Sequence, residues 1–252
     1  MFLIDLLIGY GEVGQAIEEV FGERRTVVIV DPPKGLNPEV GESVEWMHVT
    51  IPYTNSFTTI VSDYIIKYKP KNTIIHSTVK VGTTELIEKE CDHLTNLYYS
   101  PVRGRHPSLA RYLRDFPKWY ASWIPGELDQ RIEAYYAHAG VQSRKAPNFE
   151  TLEWMKLLET TTYGIGLVMW QEIERQANEL PGNRQENLSA LRNWLYEKKK
   201  VYDGDLGYVP IYNLTPGPIG GHCILPNLEL LRDMMMPELY DWMIKSNELR
   251  KK

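Results

Sequence analysis

Cysteine is scarce in this sequence. Only Cys91 and Cys223 occur, and no basic stretch precedes the first apolar run. A secreted, disulfide-framed chain is therefore not expected, and both thiols read as free in a reducing, cytoplasmic compartment. No apolar run approaches the roughly eighteen residues that span a bilayer, which argues against a membrane partner. Positive charge is not in excess either. The formal net charge is −5, so no nucleic-acid partner is expected. Internal repeats and low-complexity tracts are missing, and no paired Cys or His spacing suggests a metal, His222 beside Cys223 included. What is plentiful is aromatic: seven Trp and sixteen Tyr, a content that belongs to a folded chain.

Short apolar runs alternate with helical spacing through the first half. FLIDLLI at 2–8, TVVIV at 26–30, WMHVTIPY at 46–53, NTIIHSTV at 72–79, NLYYSPV at 96–102 and WYASWIP at 119–125 read as buried strands. Phe57, Ile60, Val61, Tyr64 and Ile65 share one helical face, and VGTTELIEKEC starts another helix with Thr83 or Thr84 as its cap. The alternation predicts the α/β class, with an N-terminal Rossmann domain, a doubly wound parallel sheet, over 1–147. At Pro147 the rhythm changes. Leu152, Met155, Leu158, Thr162, Ile165, Val168, Met169 and Ile173 recur at three- and four-residue spacing. They predict one long central helix over 148–180, broken by Pro181-Gly182-Asn183. A helix around 185–200, a Gly- and Pro-rich loop over 203–227 and a helix over 228–249 complete a small helical domain, 148–252. The long helix would measure about 45 Å, more than one small domain covers. Trp154, Met169 and Trp170 spread its apolar positions over several faces, so it is expected to be the centre of a homodimer.

One turn carries chemistry. IGYGEVG places Gly9, Gly11 and Gly14 in a G-x-G-x-x-G arrangement directly after a strand and before a helix, and Asp31 ends the next strand twenty residues after Gly11. That context is what a dinucleotide fingerprint requires. Gly9 permits the tight turn, Gly11 lets backbone approach a pyrophosphate, and Gly14 lets helix and strand pack closely. Backbone N–H groups along Tyr10, Glu12 and Val13 then face phosphate oxygens. Asp31 can accept both ribose hydroxyls and repels a 2′-phosphate, which favours NAD over NADP, although Lys34 nearby softens the preference.

Four further segments, read in order, are similar to the nucleotide-sugar (UDP-glucose/GDP-mannose) 6-dehydrogenases. HSTVKVGTT at 76–84 resembles that family's Ser-Thr-Val segment, and YSPVRG at 99–104 its Ser-Pro-Glu strand end. EWMKLLETTTYGIGLVMWQEIERQA at 153–177 resembles its long central helix, and PGPIGGHCILPN at 216–227 its Gly-Gly-x-Cys loop. The resemblance runs from residue 6 to residue 227. It implies an NAD-dependent oxidation of a CH–OH group on a small-molecule substrate, a sugar, sugar derivative or nucleotide sugar. In the family an alcohol is oxidised to an aldehyde, a cysteine attacks it, a second hydride leaves, and water hydrolyses the thioester. Matched residue by residue, Cys223 would be the nucleophile and Lys156 the stabiliser of the oxyanion. Thr78 would orient substrate or water, with Ile51, Pro52 and Ser77 beside the cofactor.

Three positions depart from the pattern. The family's Asn four residues after the Lys is Thr160, its Asp four residues after the Cys is Asn227, and its acidic residue after Ser-Pro is Val102. Asn and Val accept no proton from water, so thioester hydrolysis is not implied. No second strand–helix series follows the Cys223 loop, so the nucleotide part of the substrate is not implied either. Two other functions compete: a two-electron β-hydroxyacid-type dehydrogenase using Lys156 as acid/base with Cys223 idle, and a catalytically weak NAD-binding sensor or scaffold. His106 reads as a loop histidine contacting a neighbour, or as part of a phosphate site with Arg103 and Arg105. His76 reads as a strand residue, and Met234–Met236 as core or interface filling.

Overall fold

The computed structural model describes residues 4–40, 43–124, 126–201, 212, 217–220 and 223–251. The chain divides into two compact units, Met1–Lys156 and Leu157–Lys252.

In the first unit seven strands form one sheet: β1 (Ile4–Ile8), β2 (Val27–Val30), β3 (Val44–Val49), β4 (Asn72–Ile75), β5 (Asn96–Tyr99), β6 (Lys118–Ser122) and β7 (Ser143–Lys145). Their order is β2-β1-β3-β4-β5-β6-β7. Adjacent side chains point to opposite faces, and both faces are covered. Leu6, Ile8, Met47, Val49, Ile75 and Tyr99 join one core cluster with residues of α2 (Phe57–Tyr68) and α3 (Thr83–Cys91). Leu7, Trp46, Ile74, Tyr98 and Tyr120 join the other, with α1 (Glu12–Phe21), α4 (Leu109–Asp115) and α5 (Glu127–His138). Two-sided burial is why the strands read as unbroken apolar runs.

The first five strands are parallel, as the sequence predicts, but β6 runs antiparallel to β5, and β7 pairs parallel with β6. The connection after β5, which carries α4, delivers the chain to the end of the sheet where β5 leaves, so the next strand runs back beside it. Strand β7 escaped the sequence reading because SRK carries no apolar signal; α4 and α5 escaped it although Leu109 and Leu113, and Ile132, Tyr135 and Tyr136, stand at helical spacing.

Helix α6 (Phe149–Glu179) is the long helix predicted over 148–180, and Asn148 caps it by accepting the Thr151 N–H at 2.8 Å. The second unit adds α7 (Arg184–Val201), α8 (Ile224–Leu230) and α9 (Pro237–Leu249); α8 and α9 meet α6 around Val168, Leu228 and Met243, and Trp170 is fully buried. The single helix expected over 228–249 is in fact two. Pro237 opens α9 and holds Met236 extended, so the helical path breaks there. The methionine run is not core as a block: only Met235 packs on the cluster, while Met234 and Met236 are exposed. No helix among the described residues is long and apolar enough to cross a membrane.

Candidate active site

The carboxyl ends of β1 to β5 lie along one edge of the sheet. Gly9, Asp31, Ile51 and His76 each follow their strand there. β1 has β2 on one side and β3 on the other, which makes the end of β1 the point where the winding reverses and a crevice opens. Gly9 adopts φ +91, and a Cβ on it would stand 2.8 Å from Ile51 Cγ2. A Cβ on Gly14 would stand 2.3 Å from the Gly9 carbonyl oxygen, so α1 can approach the turn only without one. At Gly11 a Cβ would meet nothing within 4 Å. No side chain caps α1, so the N–H groups of Glu12, Val13 and Gly14 open the helix beside that space. Asp31 Oδ2 accepts the Tyr10 N–H at 2.8 Å, and Lys34 Nζ donates to the Tyr10 carbonyl. These observations fit a dinucleotide: a cradle without a side chain, a helix start and a carboxylate together.

The neighbouring strand ends are tied to this turn. Thr50 Oγ1 donates to the carbonyls of Ile8 and Gly9 at 3.0 and 2.7 Å, a bracing role that sequence reading missed. Ser77 Oγ donates to Ile51 O at 2.7 Å, so its hydroxyl holds the β3 and β4 ends together. Pro52 is exposed, and Thr78, like Ile51, half-buried. His106 pairs with Glu12 at 2.9 Å, and the Arg103 guanidinium lies over the Phe116 ring, 5.1 Å from its centroid.

Lys156 is half-buried near the end of this unit. Three residues earlier Glu153 is fully buried and accepts the N–H of Gly82 at 2.6 Å, the N–H of Thr84 at 2.8 Å and the Thr84 hydroxyl at 2.6 Å. The start of α3 is thus capped by a carboxylate from α6 rather than by Thr83 or Thr84, since Gly82 occupies the cap position. Burial pushes the Glu153 carboxyl up to about 7, against the pull of its Thr84 and Gly82 donors. A folded value above the unfolded 4.5 means that stability linked to this group is full below about 4.5 and lost as pH rises through about 7. Glu153→Gln keeps an acceptor without the charge, so it should flatten stability across that window in urea unfolding at stepped pH. An unchanged slope would show that the group does not titrate there.

A chain of buried polar groups crosses the same unit. Arg25 donates to both oxygens of Asp5 at 2.6 and 2.9 Å. Asp5 Oδ2 lies 2.7 Å from Tyr135 Oη, which lies 2.7 Å from His48 Nε2. His48 Nδ1 meets His76 Nε2 at 2.9 Å, and His76 Nδ1 meets the Ser100 carbonyl at 2.9 Å. That carbonyl also accepts from buried Lys118 Nζ at 2.7 Å. Burial, then the Lys118 and Arg25 charges, push His48 down to about 3, and burial first also holds His76 well below its usual range. Lys118 is held well below the usual lysine range by burial and then by Lys156. His76 is thus a core residue, as the sequence suggests. The signal for the rest was a charged residue, Asp5, inside the apolar run FLIDLLI.

In the second unit the structure brings two of the departing positions together. Asn227 Nδ2 donates to Thr160 Oγ1 at 2.9 Å, and that hydroxyl donates to Leu157 O at 3.0 Å. Cys223 is half-buried at the start of α8, where its carbonyl accepts the Asn227 N–H at 3.0 Å. His222 and Gly221 lie outside the described residues. Val102, in the first unit, is buried. Among the described residues no cluster of three or more His, Cys, Asp or Glu could hold a metal.

The fold is that of solved oxidoreductases. The UDP-D-ManNAc dehydrogenase of Pyrococcus horikoshii superposes with TM-score 0.75 at 16% identity, over 97% of this chain and 68% of that one. The UDP-glucose dehydrogenase of Pyrobaculum islandicum gives 0.74 at 12% identity, over 99% and 68%. The 3-hydroxyisobutyrate dehydrogenase of Mycobacterium tuberculosis gives 0.68 at 13% identity, over 99% of this chain and 94% of that one. No protein-family profile and no curated protein matches the sequence. At these identities the likeness establishes the fold, a Rossmann-like α/β architecture.

Proposed function

We propose that this chain is an NAD-dependent dehydrogenase that oxidises an alcohol of a sugar or sugar derivative. The observation that carries this reading is the cradle at Gly11, where a missing side chain, a helix start and Asp31 converge. Glu12, Val13 and Gly14 would hold the pyrophosphate through their N–H groups. Asp31 spends Oδ2 on Tyr10 and has Oδ1 for the ribose hydroxyls. Ile51, Pro52, Ser77 and Thr78 would line the nicotinamide end. When bound, NAD supplies the hydride acceptor. Lys156 would stabilise the alkoxide formed as the alcohol loses its proton, and Cys223 would attack the aldehyde. The exposed Trp154 and Met169 of α6 suit a homodimer through that helix. Asp31→Ala tests the placement: by calorimetry it should weaken NAD more than NADP. Equal loss for both would count against it.

A second reading is a two-electron, β-hydroxyacid-type reaction with Lys156 as acid/base. Two observations favour it. The two-unit chain spans nearly the whole of the 3-hydroxyisobutyrate dehydrogenase structure, and Thr160 and Asn227 bond to each other as hydroxyl and amide, neither of which is a base. Rapid-mixing measurement of NADH with intact-protein mass spectrometry separates the two. We expect one NADH per substrate, or a thioester that accumulates on Cys223 in the first turnover. Sustained release of two NADH per substrate with no adduct would show that another group activates water.

A further inference from the structure

Helix α1 begins with a carboxylate. Glu12 follows Gly11 directly, and a negative side chain in a first helical turn is drawn to the positive end of the helix. That end is also where a pyrophosphate would settle, on the N–H groups of the same turn. Two negative groups would then compete for one helix start. The structure sends the carboxylate to the loop that leads into α4: Glu12 Oε2 lies 2.9 Å from His106 Nδ1. That loop is built onto its own helix. Gly104 adopts φ +132, and a Cβ there would fall 2.6 Å from Tyr112 Cβ, so only glycine lets the loop fold this closely onto α4. The Ser108 N–H donates to the Arg105 carbonyl at 3.0 Å, and the Arg103 guanidinium lies over the Phe116 ring. Helix α4 in turn lies along α1, where Arg114 pairs with Glu23 at 2.7 Å and with Glu19 at 3.6 Å. The imidazole is thus set by the fold beside the first turn of α1. The Glu12 side chain is 56% exposed, so it has room to turn back over the helix start once this tie is cut.

From this geometry we infer that His106 is a positioning residue for the cofactor site: by holding the Glu12 carboxylate on the α4 side of the helix start, it keeps a negative charge away from the pyrophosphate. The inference rests on the dinucleotide reading of the Gly11 cradle. His106 then acts on NAD through Glu12 and makes no phosphate contact of its own. That separates it from the phosphate site with Arg103 and Arg105 that the sequence also allows, in which the imidazole would touch the anion directly.

The test is a double-mutant cycle on the full chain, read by calorimetric titration with NAD at low ionic strength. His106→Ala releases Glu12 and should weaken NAD about three- to tenfold, the scale of one nearby like charge. Glu12→Gln removes the charge and should bind NAD at least as tightly as the wild type. In the Glu12→Gln background His106→Ala should then cost less than about twofold, because nothing is left to hold off. His106→Asn places an N–H donor where Nδ1 stood and should stay within about twofold of the wild type. Charge repulsion is screened, so the His106→Ala loss should shrink by at least about half in 0.5 M salt, which a loss of packing would not do. An equal loss from His106→Ala in both backgrounds would overturn the inference and point to direct phosphate contact. Weaker binding by Glu12→Gln than by the wild type would overturn it too, as would failure of His106→Asn to retain affinity. A wild type that binds no NAD at all would defeat the dinucleotide reading itself, and the inference with it, an outcome the equal-loss result cannot be mistaken for.

Discussion

Gly11→Val is expected to lower NAD affinity at least about 100-fold, roughly 2.7 kcal/mol, with little change in thermal stability. A Cβ at Gly11 meets no protein atom within 4 Å, and its backbone, φ −79 and ψ −164, suits a β-branched residue. The branched side chain would instead fill the space in front of the helix start, where the pyrophosphate must approach the N–H groups. Gly14→Ala is the contrasting case. Its Cβ would fall 2.3 Å from the Gly9 carbonyl oxygen, so α1 must move, at a cost of about 1–3 kcal/mol or more. Calorimetric titration with NAD and thermal unfolding of both variants distinguish a ligand cradle from a merely structural turn. Wild-type affinity in Gly11→Val would sink the cradle.

The second large effect concerns the buried chain from Asp5 to Ser100. Four contacts, Asp5–Tyr135, Tyr135–His48, His48–His76 and His76–Ser100 O, each need one proton. An ionised Asp5, a neutral tyrosine and two neutral imidazoles carry only three. Burial disfavours a charged His48 or His76. The fourth proton therefore falls to Asp5, whose carboxyl burial raises against the pull of Arg25 and Tyr135. Sign and window follow. With the folded value above the unfolded 3.8, stability from the complete chain is full below that value and lost as pH rises through the raised folded one. Tyr135→Phe removes the hydroxyl and leaves two contacts for two imidazole protons. Its stability should depend less on pH than that of the wild type, although each value is lower. Asp5→Ala removes the acceptor of two Arg25 N–H groups and should lower stability at every pH. Urea unfolding at stepped pH measures both. An equal pH slope in wild type and Tyr135→Phe would refute the proton count.

Much was legible without coordinates. The strands from Ile4 to Tyr99 are short and apolar because both faces of a parallel sheet are buried, and that need is written locally. The glycine turn is equally local, since each glycine answers a constraint within a few residues. The long helix is legible from its three- and four-residue spacing between Asn148 and Pro181. What sequence alone determined about this protein is therefore its class, its glycine cradle and its long helix. Tertiary structure alone decided the rest, because those features depend on contacts between residues far apart in the chain. The reversal of β6 shows only in its pairing with β5, because its apolar run reads the same in either direction. The cap of α3 comes from Glu153, 69 residues beyond Thr84, and no local signal announces it. Thr160 and Asn227 read separately as two lost groups, and only folding, across 67 residues, makes them partners. The Asp5–Tyr135 contact spans 130 residues, so its missing proton can be counted only once the fold has brought donors and acceptors within reach of one another.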